Sequence, residues 1–363
     1  MVEYDGTKAA WITIATGLFG LAVNINVFYA VRKCRNFGYA FGMLCLSQTV
    51  SNIGNCIVFV VMAGGITLIN PDWHSTYAGR RLGQFLIFFW EASIFSHLFI
   101  SANRAIAVNF PIKYNQIFSE NRTTKIIIVV IWIISFLQCL PYTLPVCSHT
   151  FDPVSFTLAY AGGVCGDLTE KIGDLIISLI IVSFIALLDL TTFIRLYQMR
   201  RASKQNTQKM SKEIRLFFQA CVQSVILMFC ECSFFFLSYM NDDPWYAFVS
   251  TTFIWVFTHA ADGCVVIIFS GEIRRIILRT RKCAVTVVPS ASGVPNFRKS
   301  NVSSRKVGNG CKTVTWDRTS NERTNERMTF PSFCKMFKDV KNVFHFQVDT
   351  INIILDLDLG EFV

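Results

Sequence analysis

Charge is scarce in this chain. Only 16% of its 363 residues are Asp, Glu, Lys or Arg, while 52% are hydrophobic and the mean hydropathy is +0.43. Soluble domains carry about a quarter charged residues, so this balance excludes an ordinary water-soluble fold. The spacings that catalysis or metal binding would need are also missing. There is no glycine-rich phosphate loop, nucleophile elbow or zinc-type His/Cys spacing, so no enzyme, cofactor or metal is expected. No cleavable signal peptide is visible, because the first apolar run is too long for a signal h-region. No internal repeat is apparent.

What the chain does have is apolar length. A hydrocarbon core of roughly 30 Å needs about 20 apolar residues per helix. Runs of that size lie at about 9–31, 39–63, 82–104, 126–146, 174–197, 216–240 and 245–269. The expected fold class is an all-α membrane protein, with a seven-transmembrane helix bundle in residues 1–283.

Loop charge sets the expected orientation, because Lys and Arg accumulate on the cytoplasmic side. Segments 1–8, 66–81, 147–173 and 241–244 hold four basic and eight acidic residues, whereas 32–38, 104–125, 195–215 and 271–283 hold nineteen basic and three acidic. The first set is expected outside and the second inside, which puts the amino terminus out. The formal charge of +10 then reflects topology and a basic tail, and nucleic acid is not an expected partner.

Of the thirteen cysteines, most fall within apolar runs, where free Cys acts as a small hydrophobe. Cys147 and Cys165 lie in an expected extracellular loop, where disulfides persist. They form a candidate pair, although spacing alone leaves two unpaired thiols equally open.

Beyond the last run, Ile273, Ile276 and Ile277 share one helical face, while Arg274, Arg275, Arg279, Arg281 and Lys282 project elsewhere. This suits a short amphipathic helix over 271–283 in the inner interface, with Cys283 a candidate for palmitoylation. An ordinary basic stop-transfer segment is the alternative. Residues 284–363 are expected to form a mostly disordered cytoplasmic tail, rich in Ser, Thr, Asn, Lys and Arg at first and apolar over the last 34 residues.

Residues 103–114 read NRAIAVNFPIKY. This stretch is similar to the (Asp/Glu)-Arg-Tyr-x-Ala-(Ile/Val)-x-x-Pro-x-x-Tyr pattern that ends the third helix of rhodopsin-like seven-helix receptors. Arg104, Ala107, Val108, Pro111 and Tyr114 match in register. Asn24 with Val27 resembles that family's first-helix Asn-x-x-Val, and Trp132 sits where its fourth-helix tryptophan would.

The departures are specific. Asn103 replaces the acid and Ala105 the tyrosine, the sixth run reads MFCECSFFF, and Asp262 and Gly263 stand where Asn-Pro is usual. No cysteine lies at the outer end of the third run to bond the second extracellular loop. With the short amino terminus and the pairing of NR...P..Y with DG...FSGEIRR, the chain most resembles the nematode chemosensory serpentine receptors, class X above all.

That resemblance implies a G-protein-coupled chemosensory receptor. Its partners would be a small environmental ligand, a heterotrimeric G protein and the bilayer. It would reside in the plasma membrane, with the cilium of a sensory neuron as a specific location.

Asn103, Arg104, Pro111, Tyr114, Glu213 and Asp262 are the candidates for coupling and activation. Glu213 is expected to restrain Arg104, and Asp262 to join Asn24 in an inner polar network. Headgroup snorkelling is the alternative for Arg104.

Ionisable groups inside a bilayer are functional candidates by default. Glu91, Glu231 and His259, with Phe88 and Trp90, are the candidate ligand-facing residues. Helix-to-helix hydrogen bonding that only stabilises the bundle is open for each polar one. A seven-helix ligand-gated channel, a transporter, and a receptor for an endogenous peptide or amine are the alternative functions.

Overall fold

The computed structural model describes residues 6–34, 38–118, 120–202 and 207–285, the side chains of 202–213 and 279–285 excepted. Among the described residues, seven helices are long and apolar enough to cross a membrane. They are α1 Gly6–Lys33, α2 Tyr39–Ile69, α3 Tyr77–Asn109, α4 Asn121–Cys139, α5 Val164–Arg201, α6 Thr207–Phe235 and α7 Pro244–Phe269. An eighth helix, α8 Gly271–Val285, follows. The protein is an all-α seven-helix membrane protein.

Local chemistry sets several boundaries. Thr76 caps α3 by accepting from the Gly79 amide at 3.4 Å. Pro111 disfavours helical geometry in the residue before it, so α3 stops at Asn109 and the proline opens a short helix, Pro111–Phe118. Asp243 caps α7 at Tyr246 (3.0 Å), with Pro244 in the first helical position.

Two expected boundaries move. Residues 140–146 are apolar but leave the helix, because Pro141 and Pro145 each start a 3-10 turn. At the other end of that connection, α5 begins at Val164, ten residues before the apolar run itself. Between them lie strands β1 His149–Asp152 and β2 Thr157–Tyr160, paired antiparallel with Thr150 opposite Ala159. A disulfide joins Cys147 to Cys165 with Cα atoms 5.0 Å apart, so the hairpin is tied across its base.

The outer face of the bundle is apolar, as a lipid solvent requires. Ile126, Val129, Ile133, Phe136 and Leu137 on α4, and Ile180, Phe184, Leu187 and Leu190 on α5, face outward. Helix α3 runs through the centre, packed on α2, α4, α5 and α6.

Two large apolar cores fill the interior, beside a small cluster of Val108, Leu196 and Phe217. One, nearer the hairpin, includes Phe59, Leu86, Trp90, Ile94, Leu227 and Trp255. The other, at the opposite end, includes Val27, Leu44, Ile100, Ile131, Leu216, Val266 and Ile273. A buried polar band lies between them.

Helix α8 presents Ile273 fully buried and Arg274 and Arg275 exposed, the amphipathic division read in the sequence. Cys34 Sγ donates to Glu272 Oε2 at 3.1 Å, tying α8 to the end of α1. The side chain of Cys283, the tail residues 286–363 and the side chain of Glu213 lie outside the described residues.

Candidate functional site

The polar band converges on one oxygen. Asp262 Oδ2 on α7 accepts from Gln48 Nε2 (2.8 Å) and Asn52 Nδ2 (3.2 Å) on α2, and from His97 Nε2 (3.1 Å) on α3. The Asn52 carbonyl in turn receives Ser93 Oγ (3.3 Å) and meets His259 Nδ1 (2.9 Å). All six residues are buried. These bonds offset much of the cost of burying polar groups in an apolar medium, although Asp262 Oδ1 and His259 Nε2 have no partner among the described residues.

Asn24 joins this band through the backbone. Its Nδ2 donates to the carbonyl of His259 at 2.9 Å, and no hydrogen bond links it directly to Asp262. Gly263 makes the approach possible, since a Cβ there would lie 2.8 Å from Asn24 Oδ1. The residue that stands where a proline is usual thus serves close helix packing.

Toward the hairpin, a crevice opens between α3, α5, α6 and α7. Its walls are Trp90, Asp174, Cys230, Glu231, Phe234, Phe235 and Trp255, and its empty volume is about 220 Å³ out to the mouth. That figure includes space open to solvent, and the enclosed part has room for about one water, so a larger guest must part the walls.

Asp174 lies on a π-helical turn, Thr169–Ile176, of the kind often found at functional sites. Trp255 is the aromatic hub. Trp90 meets it edge-on at 4.9 Å and Phe234 at 5.3 Å. Trp90 also sets its edge against His259 at 5.7 Å, so one residue borders both crevice and polar band.

The hairpin closes this end of the bundle. Phe151, Phe156 and Leu158 are buried, and the Phe156 carbonyl accepts from Thr252 Oγ1 on α7 at 2.6 Å. His149 is fully buried between Tyr160 (4.7 Å) and Trp255 (6.2 Å), and neither ring nitrogen has a partner. Burial alone pushes its pKa down to about 3, so the ring is neutral. The Tyr160 hydroxyl donates to Asp174, and burial, then the nearby Asp174 charge, hold it well above the ordinary phenol range.

At the opposite end, Arg104 is buried with its guanidinium carbon 3.7 Å over the Phe41 ring, a cation–π arrangement. Asn103 is buried beside it, and its side-chain amide has no hydrogen-bond partner among the described residues. Pro111 is exposed, and Tyr114 packs on Phe118 at 4.9 Å.

Of the five ligand-facing candidates, Trp90 and Glu231 line the crevice. Glu91 is buried next to Trp90 without reaching its walls. His259 spends Nδ1 on Asn52, and Phe88 turns away toward Trp132 at 5.4 Å.

Sequence reasoning missed Gln48, Asn52, His97, Asp174 and Trp255. A lone histidine in the apolar run IFSHLFI carried the signal for His97. Asp174 was hidden because it marked the edge of a run.

Comparison with known proteins bears on the same region. Residues 14–270 match the family model of the serpentine type 7TM GPCR chemoreceptor Srx. Serpentine receptor class X 45 of Caenorhabditis elegans is 23% identical over 333 residues, covering 86% of this chain and 91% of the relative. Serpentine receptor class X-43 of the same organism is 27% identical over 302 residues, covering 78% and 92%. A match over most of the bundle, from α1 through the polar band to the end of α7, shows that this chain belongs to the Srx family of serpentine seven-helix chemoreceptors.

Proposed function

We propose that this protein is a G-protein-coupled chemosensory receptor whose small environmental ligand binds in the crevice beneath the hairpin. It has no catalytic chemistry of its own. The hairpin and the amino terminus face outside and α8 lies at the inner leaflet, an orientation that rests on the loop charges. The plasma membrane, and the cilium of a sensory neuron, is where such a receptor would act.

One observation carries the reading. Trp90 is at once a wall of the crevice and the neighbour of His259, which leads through Asn52 to Asp262 and His97. A ligand that moves Trp90 therefore perturbs hydrogen bonds that tie α2, α3 and α7 together. Such a network has discrete arrangements, and ligand binding shifts their populations. At the inner end, Arg104 leaves the Phe41 ring in the active population and meets the G protein.

The test is parallel expression of the wild type and Arg104→Ala with a panel of small volatile and water-soluble chemicals, recording G-protein activation and membrane current together. The expected result is a G-protein response that Arg104→Ala abolishes at equal surface level. A current that needs no G protein and survives the substitution would instead make the protein a channel.

A further inference from the structure

Three carboxyl groups crowd the crevice. Asp174 and Glu231 form part of its wall, and Glu91 is adjacent to Trp90 behind it. Their residues are 2%, 5% and 1% exposed, and in each one carboxyl oxygen has no hydrogen-bond partner: Asp174 Oδ1, Glu231 Oε1 and Glu91 Oε2.

Among the described residues, no lysine, arginine or histidine forms an ion pair with any of them. The histidine above the crevice, His149, is neutral. Buried polar oxygens ordinarily find a partner, so the free carboxyl oxygens on the crevice wall are open to a donor or a cation.

The rest of the wall specifies what kind. Trp90, Trp255 and Phe234 line the crevice and meet one another edge to face, and aromatic rings attract cations through the ring quadrupole, Trp most strongly. Among the described residues, no group of three or more His, Cys, Asp or Glu side chains is placed to hold a metal ion. An organic cation with a methyl or short alkyl skirt suits a wall that combines carboxyl groups with aromatic rings.

Resting on the receptor reading above, we infer that the ligand of this crevice is a small organic cation, a protonated amine or a quaternary ammonium, held by Asp174 and Glu231 against Trp90 and Trp255. A neutral guest makes no use of the acids as counter-charges, and an anion is disfavoured beside them.

The experiment uses three probes of one shape and different charge: tetramethylammonium, tert-butanol and pivalate. The full-length receptor in nanodiscs is titrated with each while tryptophan fluorescence is followed, and G-protein activation is recorded separately in cells. Saturable binding of tetramethylammonium alone is expected. Glu231→Gln, which keeps shape and removes the acid, should weaken it at least tenfold. Without probe, the thermal midpoint of this variant should be unchanged or raised, which separates lost binding from lost folding.

Equal binding of tert-butanol, unchanged tetramethylammonium affinity in Glu231→Gln, or no cation-selective binding at all would overturn the inference. Failure of the receptor reading looks different. Tetramethylammonium would then bind selectively without activating any G protein. Conversely, a neutral agonist acting through Arg104 would leave the receptor reading standing and remove the cation.

Discussion

Acid should release the hairpin from the bundle, and His149 should be the reason. Its ring is fully buried with both nitrogens unpartnered, and burial lowers its pKa from 6.5 to about 3. The docked hairpin therefore holds the neutral ring, while a released hairpin takes up a proton near its ordinary pKa. Docking is at full strength above about pH 6.5 and weakens as pH falls, down to about pH 3. Each pH unit in that window costs about 1.4 kcal/mol, so about pH 5 weakens docking by about 2 kcal/mol, roughly 30-fold. His74, which packs on Phe151 at 5.1 Å, has its pKa lowered mainly by burial and adds a smaller effect of the same sign. Hydrogen exchange of the 148–162 amides, compared between the wild type and His149→Phe at the same pH, cancels the intrinsic exchange rate and the His74 share. The protection ratio should shift about 30-fold toward the variant between about pH 7.5 and pH 5. A ratio that does not move with pH would refute the reasoning, since it would mean that the ring is solvated or paired when docked.

Two further perturbations probe the same architecture. Gly83→Ala places a Cβ 1.9 Å from the His149 carbonyl oxygen, so the strand or the helix must move. Overpacking of this kind costs about 1–3 kcal/mol, and exchange should rise in the hairpin and not in the α1–α2 contact; unchanged hairpin protection would show that the strand does not rest on α3. In the polar band, His97→Leu leaves Asp262 with amide donors alone, a loss on the order of 1.5–3 kcal/mol for a hydrogen bond to a carboxylate. A double-mutant cycle with Asp262→Asn, read by thermal unfolding in detergent, should show the double variant losing less than the two single losses together, and simple additivity would mean that the pair is not coupled.

The legible and illegible parts of this molecule divide along physical lines. Apolar length and loop charge are one-dimensional properties, and seven runs of about 20 residues are enough to specify seven helices. Helix ends were less legible where proline intervened: 140–146 is as apolar as the helix before it, yet Pro141 and Pro145 turn the chain. The hairpin had no sequence signal strong enough to separate it from a loop. Its two strands are four residues each, and its side chains are buried by helices remote in sequence, as the Thr252 bond to Phe156 illustrates.

Intramembrane polar residues could be picked out singly, because each is costly in lipid. Their partners could not, because partnership depends on helix rotation. Asp262 and Asn24 were both visible, but the chain links them through the His259 carbonyl, whereas the carboxylate itself faces α2 and α3. The same rotation puts His259 into the polar band and leaves Glu231 on the crevice wall. Gly263 shows the coupling of the two levels. A residue with no side chain appears in the sequence only as a departure from the usual proline, and in the bundle it sets how closely α1 and α7 approach. A proline there would put a ring against Asn24, whereas glycine lets the Asn24 amide reach the carbonyl of His259. In this protein, the contact between α1 and α7 is therefore built on close packing around a bonded asparagine, and the polar band depends on that packing for its register.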